Sequence, residues 1–320
     1  MFTVYFRFAA HDPVNPERAP LLEQLLARAE VPVRVSDWRA DALRIIAPQA
    51  DSLPPASAAA HASGASRTGQ WAFIATPVHF VAGLRSVSMP ADGILTLDEE
   101  EAAAMTLDFN RLFGSAGIRL HAAREQLLLC TLEAPLRATT HAPEELQGRD
   151  IWDFMPRGPD AAQVRRLMSE IEMWLHEHAI NERRAARADP LISGLWFWGG
   201  GGTRPDLPEV RGWTGGKDPL FEAFGAQPHY PGAAGSGVVV IPHPPGSAGW
   251  RDADERWLAP AAADLKAGRV QQILLSAGHR CFRVSARGAR RFWRRTRPWW
   301  ESFQQPAETE AADTEAAETP

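Results

Sequence analysis

Between Asp160 and Arg187, the residues Val164, Leu167, Met168, Ile171, Trp174, Leu175 and His178 recur every three or four positions. That period writes one apolar stripe along a helix. Shortly after it comes Leu195-Trp196-Phe197-Trp198, apolar at every position, which reads as a buried strand ending in Gly199 to Gly202. The same alternation recurs along the chain. Thr3 to Ala9 reads as a strand, Pro20 to Ala29 as a helix, and Trp71 to Val81 as a strand interrupted at Pro77. Leu97 to Phe113 reads as a helix with Asp98 as N-cap, acids in its first turn, and Gly114 and Gly117 closing it. Strands are expected at Ile118 to His121, Gln126 to Leu132, Gly237 to Ile241 and Val270 to Ser276, with a short helix at Trp257 to Ala267. Alternating helices and strands imply an α/β protein with a largely parallel or mixed sheet.

Two stretches break the pattern. Residues 49–69 are rich in Ala, Ser, Pro and Gly and read as a loop or disordered insertion. Residues 304–320 form an acidic, low-complexity tail expected to be disordered. The expected organisation is an N-terminal α/β portion over 1–69, a central region over 70–235, a C-terminal α/β portion over 236–303, and the tail.

Composition narrows the function. With 45% hydrophobic and 23% charged residues, the 320-residue chain is of globular type. Six of its 39 acids lie from Glu301 onward, so the remainder, with 34 Lys and Arg, is close to neutral and has no global basic field for nucleic acid. Cys130 and Cys281 are too few for a secreted disulfide framework. No apolar run is long enough to span a bilayer, and the first ten residues lack signal-peptide character, so the expectation is a cytoplasmic protein.

Two constellations stand out. His178, Asn181 and Arg184 follow one another at three-residue spacing, which places them together on a helix surface, with His176 nearby. They either hold an anionic ligand or serve the helix end, its apolar stripe and its backbone. Gly199, Gly200 and Gly201 either let backbone N–H groups approach a phosphate or form a tight turn needing positive φ. His11-Asp12 and His279 follow strands but make no coordination shell, so no metal site and no cofactor is expected. GxSxG is absent. Arg280 to Arg297 holds eight arginines and no acid, followed by Trp299-Trp300. It is read as a solvated terminal helix or a segment neutralised by the tail, and otherwise as an adaptor surface for nucleic acid or membrane over 280–300.

The run from Met168 through His178, Asn181 and Arg184 to Leu195-Trp-Phe-Trp-Gly-Gly-Gly-Gly resembles the RpfE-type regulatory protein family of proteobacteria. Trp71 with Thr76-Pro77-Val78-His79-Phe80, and Arg291-Phe292-Trp293-Arg294-Arg295, resemble it too, with Thr76 where that family usually has Asp. The central stretch is also similar to archaeal-type cofactor-independent phosphoglycerate mutases, whose His-Pro-Val-Asn-x-x-Arg and Leu-Trp-x-Trp-Gly-x-Gly are met here with Ala179 replacing Pro. The resemblance implies an alkaline-phosphatase-like mixed sheet with flanking helices and an embedded substrate-binding-like subdomain. It also implies that the two-metal phosphoryl-transfer machinery is lost, since no Asp-Gly follows the first strand and Ala277-Gly278-His279 replaces the late Asp-His motif. The expected function is a cytosolic regulatory protein on a mutase-like scaffold, binding a small phosphorylated or carboxylate metabolite, with an unknown protein partner. The alternatives are an active mutase or related phosphotransferase, and the adaptor.

Overall fold

Thr3 to Phe8, rich in β-branched and aromatic side chains, is the strand β1 of the computed structural model, which describes residues 2–8, 17–50, 52–65, 67, 69–123, 127–203, 205–241, 246–288 and 294–304. There follow α1 (Pro20–Arg28), β2 (Val33–Arg34), α2 (Trp38–Ile46), α3 (Pro55–Ala62), β3 (Trp71–Val78), β4 (Val81–Ala82) and β5 (Val87–Met89). Then come α4 (Glu99–Phe113), β6 (Ile118–Ala122), β7 (Leu128–Leu132), β8 (Arg149–Asp150), α5 (Ala161–His176), α6 (Ala179–Ala186) and β9 (Gly194–Gly202). The chain ends with β10 (Trp213–Gly216), α7 (Pro219–Glu222), β11 (Gly237–Ile241), α8 (Gly246–Ala253), α9 (Ala259–Lys266), β12 (Gln272–Ala277), β13 (Arg280–Ser285) and α10 (Trp299–Gln304). The class is mixed α/β, as the alternation implies.

The chain divides into two units, 1–52 with 208–320, and 53–207. The sequence places its boundaries instead at 69/70 and 235/236. The difference at the first boundary comes from within residues 49–69, where Pro55–Ala62 form a helix rather than open loop. Pro55 starts α3 at the position where proline is tolerated, and Ala56, Ala58, Ala59 and Ala60 are all buried. Small side chains there reflect close packing.

The first unit is a six-stranded sheet in the order β10-β11-β1-β12-β13-β2. β10, β11, β1 and β12 run parallel, and β13 and β2 antiparallel, so the sheet is mixed. Val4, Phe6 and Phe8 of β1 join Leu22, Leu25, Trp257, Leu258 and Trp299 in one core. Arg280 to Ser285, expected in a solvated helix, instead pair as β13, with Phe282 and Val284, either side of exposed Arg283, joining the core. Trp299 is buried and its indole donates to the Glu17 carbonyl at 3.0 Å, so it is a core residue. Residues 289–293 and the tail beyond 304 lie outside the described residues.

The second unit carries an antiparallel sheet β6-β7-β3-β9 and a small sheet β4-β5-β8. Leu120, Cys130, Phe73 and Phe197 face a core built with α4 and α5, while Ala72, Ile74, Leu129, Trp196 and Trp198 face one built with α3 and residues near Leu146 and Phe154. β3 continues through Pro77. The Pro77 carbonyl accepts from the Leu95 N–H on the side away from β9, so its nitrogen, on that same side, costs no ladder bond. The helix expected over 160–187 is two helices, because His178 leaves the helical conformation (φ −82°, ψ 137°) and caps α6. Trp196 is buried as its strand requires; Trp174, at the rim of the stripe, is only half-buried, set edge-on to Phe109 and Phe113.

Candidate functional site

His178, Asn181 and Arg184 are brought together, but each is engaged by the protein itself. The His178 ring accepts from the Ile180 N–H through Nδ1 at 3.1 Å, and its Nε2 lies 3.4 Å from the Asp108 carboxylate. Burial holds its pKa below the ordinary histidine value, with Asp108 pulling the other way. The Asn181 side chain donates to the carbonyls of Leu175 and Ile192 and accepts from the Ile192 N–H, tying α5, α6 and the approach to β9. Arg184 pairs with Glu101 at 2.8 Å and donates to the Pro190 carbonyl, both side chains of the pair being buried. His176 ends α5 on the exposed side.

The glycines have packing reasons. β9 has a bulge opposite Phe73, where the register jumps from Ala72/Gly201 to Ile74/Trp198. Gly199 supplies the left-handed backbone of that bulge, with φ +65°. A Cβ on Gly200 would meet Phe73 Cε1 at 2.3 Å, and one on Gly201 would meet Ser57 Oγ at 2.3 Å and Pro54 Cβ at 2.7 Å. Neither a free phosphate loop nor a simple turn is formed; the glycines are strand. They lie about seven to nine residues beyond Ile192, which Asn181 bonds, roughly 23–30 Å along extended chain.

A different set gathers at the carboxyl ends of the parallel strands, where open α/β sheets carry their ligands. Arg7, next to last in β1, is buried; its Nη1 donates to Ser276 Oγ at 3.0 Å and to the Gly278 carbonyl at 2.8 Å. Its guanidinium lies over the Trp38 ring, 4.8 Å from its centre, and that of Arg39 lies over the same ring at 4.4 Å. Asp218, just past β10, takes Arg39 at 2.9 Å and caps α7 through the Leu220 N–H. Burial raises the Tyr5 hydroxyl pKa, opposed by Arg7, and pushes the Cys281 thiol up to about 11. Both stay protonated and non-nucleophilic at neutral pH, so the chemistry available there is ion recognition by planar guanidiniums. Nothing in the periodicity singles out Arg7 or Arg39. Strand-end position is their signal, and it becomes readable only with the strand order.

His279 sits in the turn from β12 to β13 and exchanges hydrogen bonds with Val35. His11 and Asp12 lie outside the described residues. Among the described residues no three His, Cys, Asp or Glu side chains converge to hold a metal ion. Among them, too, no helix is long and apolar enough to cross a membrane.

The first unit thus belongs to the class of α/β proteins with a mostly parallel sheet and a polar carboxyl edge. No protein-family profile matches the chain. A stretch of 136 residues, 42% of the chain, is 28% identical to the 2,3-bisphosphoglycerate-independent phosphoglycerate mutase of Methanothrix thermoacetophila, and the match spans 31% of that protein's length. Among solved structures, the cofactor-independent phosphoglycerate mutase of Thermoplasma acidophilum superposes with TM-score 0.35 at 14% identity, over 89% of each chain. A Pyrococcus horikoshii protein superposes with TM-score 0.39 at 12% identity, over 89% of this chain and 87% of the other.

Proposed function

We propose that the chain is a metabolite-binding regulatory protein on a phosphoglycerate-mutase-like, alkaline-phosphatase-like scaffold. It takes a small phosphorylated or carboxylate metabolite at the carboxyl edge of the six-stranded sheet. One observation carries this reading: Arg7, Arg39, Ser276 and Asp218 gather where four parallel strands end. Guanidiniums over an indole face suit oxyanion contacts, of the kind Arg39 already makes to the Asp218 carboxylate through Nε and Nη2. The mutase similarity supports the metabolite class, and the RpfE-type resemblance supports the regulatory role. The test is calorimetry with 3-phosphoglycerate and small dicarboxylates on the wild type and on Arg7→Gln. Saturable binding that weakens in the variant is expected; equal binding by both proteins refutes the assignment.

The same 136-residue similarity favours a second reading, catalysis of phosphoglycerate isomerisation. A mutase assay with and without added Mn²⁺ separates the two. Turnover that a chelator abolishes promotes the enzyme. Binding without turnover supports the regulator.

A further inference from the structure

The second unit holds a cleft of about 720 Å³. Strand alternation creates it. In β6, Leu120 points into the core with Cys130, so Arg119 and His121 point to the opposite face. Arg119 is opposite Thr131 in the ladder, and Thr131 is opposite Ala72, so this is the face that α3 covers. But α3 lies over β3 and β9, held there by Gly199 and Gly201 beneath Pro54, Pro55 and Ser57. The β6 end of the sheet is left open beside the C-terminal end of α3.

The lining of that space is cationic. Arg67 arrives from the segment after α3, tied by its backbone to Thr203, whose hydroxyl accepts from the Arg67 N–H at 3.2 Å and donates to the Arg67 carbonyl at 2.6 Å. Arg119, His121 and Thr131 come from the sheet, and Gln70 and Ser63 complete the polar wall. No acid is among the described lining residues. His121 Nε2 is 2.8 Å from Thr131 Oγ1, which orients the ring. Its pKa is held down first by burial, then by the charges of Arg119 and Arg67. The C-terminal end of α3 opposes them with about half an elementary negative charge, too little to balance two full positive ones.

We infer that this cleft binds a phosphorylated small molecule, with Arg67 and Arg119 bracketing the phosphate, Gln70 donating to it, and the hydrogen-bonded Thr131–His121 pair contributing one further donor. Guanidinium pairs suit a dianionic oxyanion. The site is built from residues of the second unit alone and does not depend on the function proposed for the first.

The test titrates the full chain with inorganic pyrophosphate by calorimetry, and follows the His121 ring nitrogens by NMR. Arg67→Gln and Arg119→Gln should each weaken binding about tenfold or more, and the His121 signals should move in the wild type. Arg111→Gln, which removes an exposed charge from α4, should bind as wild type does. Circular dichroism of both cleft variants should match the wild type, since both side chains are exposed. Three results would overturn the inference: no binding by wild type at about 10 mM, undiminished binding in both cleft variants, or binding lost in Arg7→Gln yet retained in Arg119→Gln.

Discussion

Replacing Glu101 by leucine should be among the most damaging single changes in the second unit. Its carboxylate contacts Arg184 Nη1 and Arg187 Nη2, each at 2.8 Å, and reaches back to the Asp98 N–H to complete the capping box of α4. Arg184 is 6% exposed and Glu101 4%, so the substitution leaves a cation in the interior bonded, among the described residues, to the Pro190 carbonyl alone. Stranding one member of a buried pair costs about 3–5 kcal/mol. Arg187 is half-exposed, and its share is about 0–1 kcal/mol. The expected loss is therefore about 4 kcal/mol, read from urea unfolding by near-UV circular dichroism together with amide exchange in α6. The double variant Glu101→Leu with Arg184→Met should recover most of it, because an apolar pair of similar size removes the stranded charge. A loss under about 1 kcal/mol in the single variant would refute the structural role of Arg184 and return it to the pool of ligand-binding candidates.

Three further outcomes are expected. Gly200→Ala should cost about 1–3 kcal/mol in urea melts, since its Cβ would fall 2.3 Å from a buried Phe73 ring; an unchanged midpoint would show that the bulge yields. Trp196→Ala should cost about 3–5 kcal/mol and Trp174→Ala distinctly less, the first being buried with its indole bonded to the His141 carbonyl and the second half-buried; the reverse order would contradict the packing. For His178, the folded pKa lies below the unfolded value of about 6.5, so the unfolded chain binds the proton more readily. Stability should be flat above about pH 6.5 and fall as pH drops from there through the folded pKa, and His178→Asn, which keeps an N-cap acceptor, should reduce that slope.

Local chemistry determines much of this protein. The α4 capping box, the helix begun at Pro20, the β6–β7 hairpin, and the apolar strands β9, β11 and β12 all follow from side-chain period and from residues that act within a few positions of themselves. The break at His178 is also local in origin, its ring accepting from the Ile180 N–H as the N-cap of α6, but the apolar period runs straight through it and does not announce it. What the tertiary structure alone decides is what each ambiguous residue faces. Ala-rich 55–62 is a packed helix rather than a loop because glycines on β9 let it approach, and those glycines are spacers because Phe73, Pro54 and Ser57 occupy the room a Cβ needs. Arg184 reads from its helix as a surface cation; Glu101, 83 residues away, makes it an interior one. Arg7 and Arg119 look alike in sequence, one buried at a strand end and the other open on a sheet face, because burial and charge balance depend on partners distant along the chain. Periodicity encodes which side of an element is apolar, whereas the neighbour that meets the polar side is set by how the strands are ordered and which helix covers them.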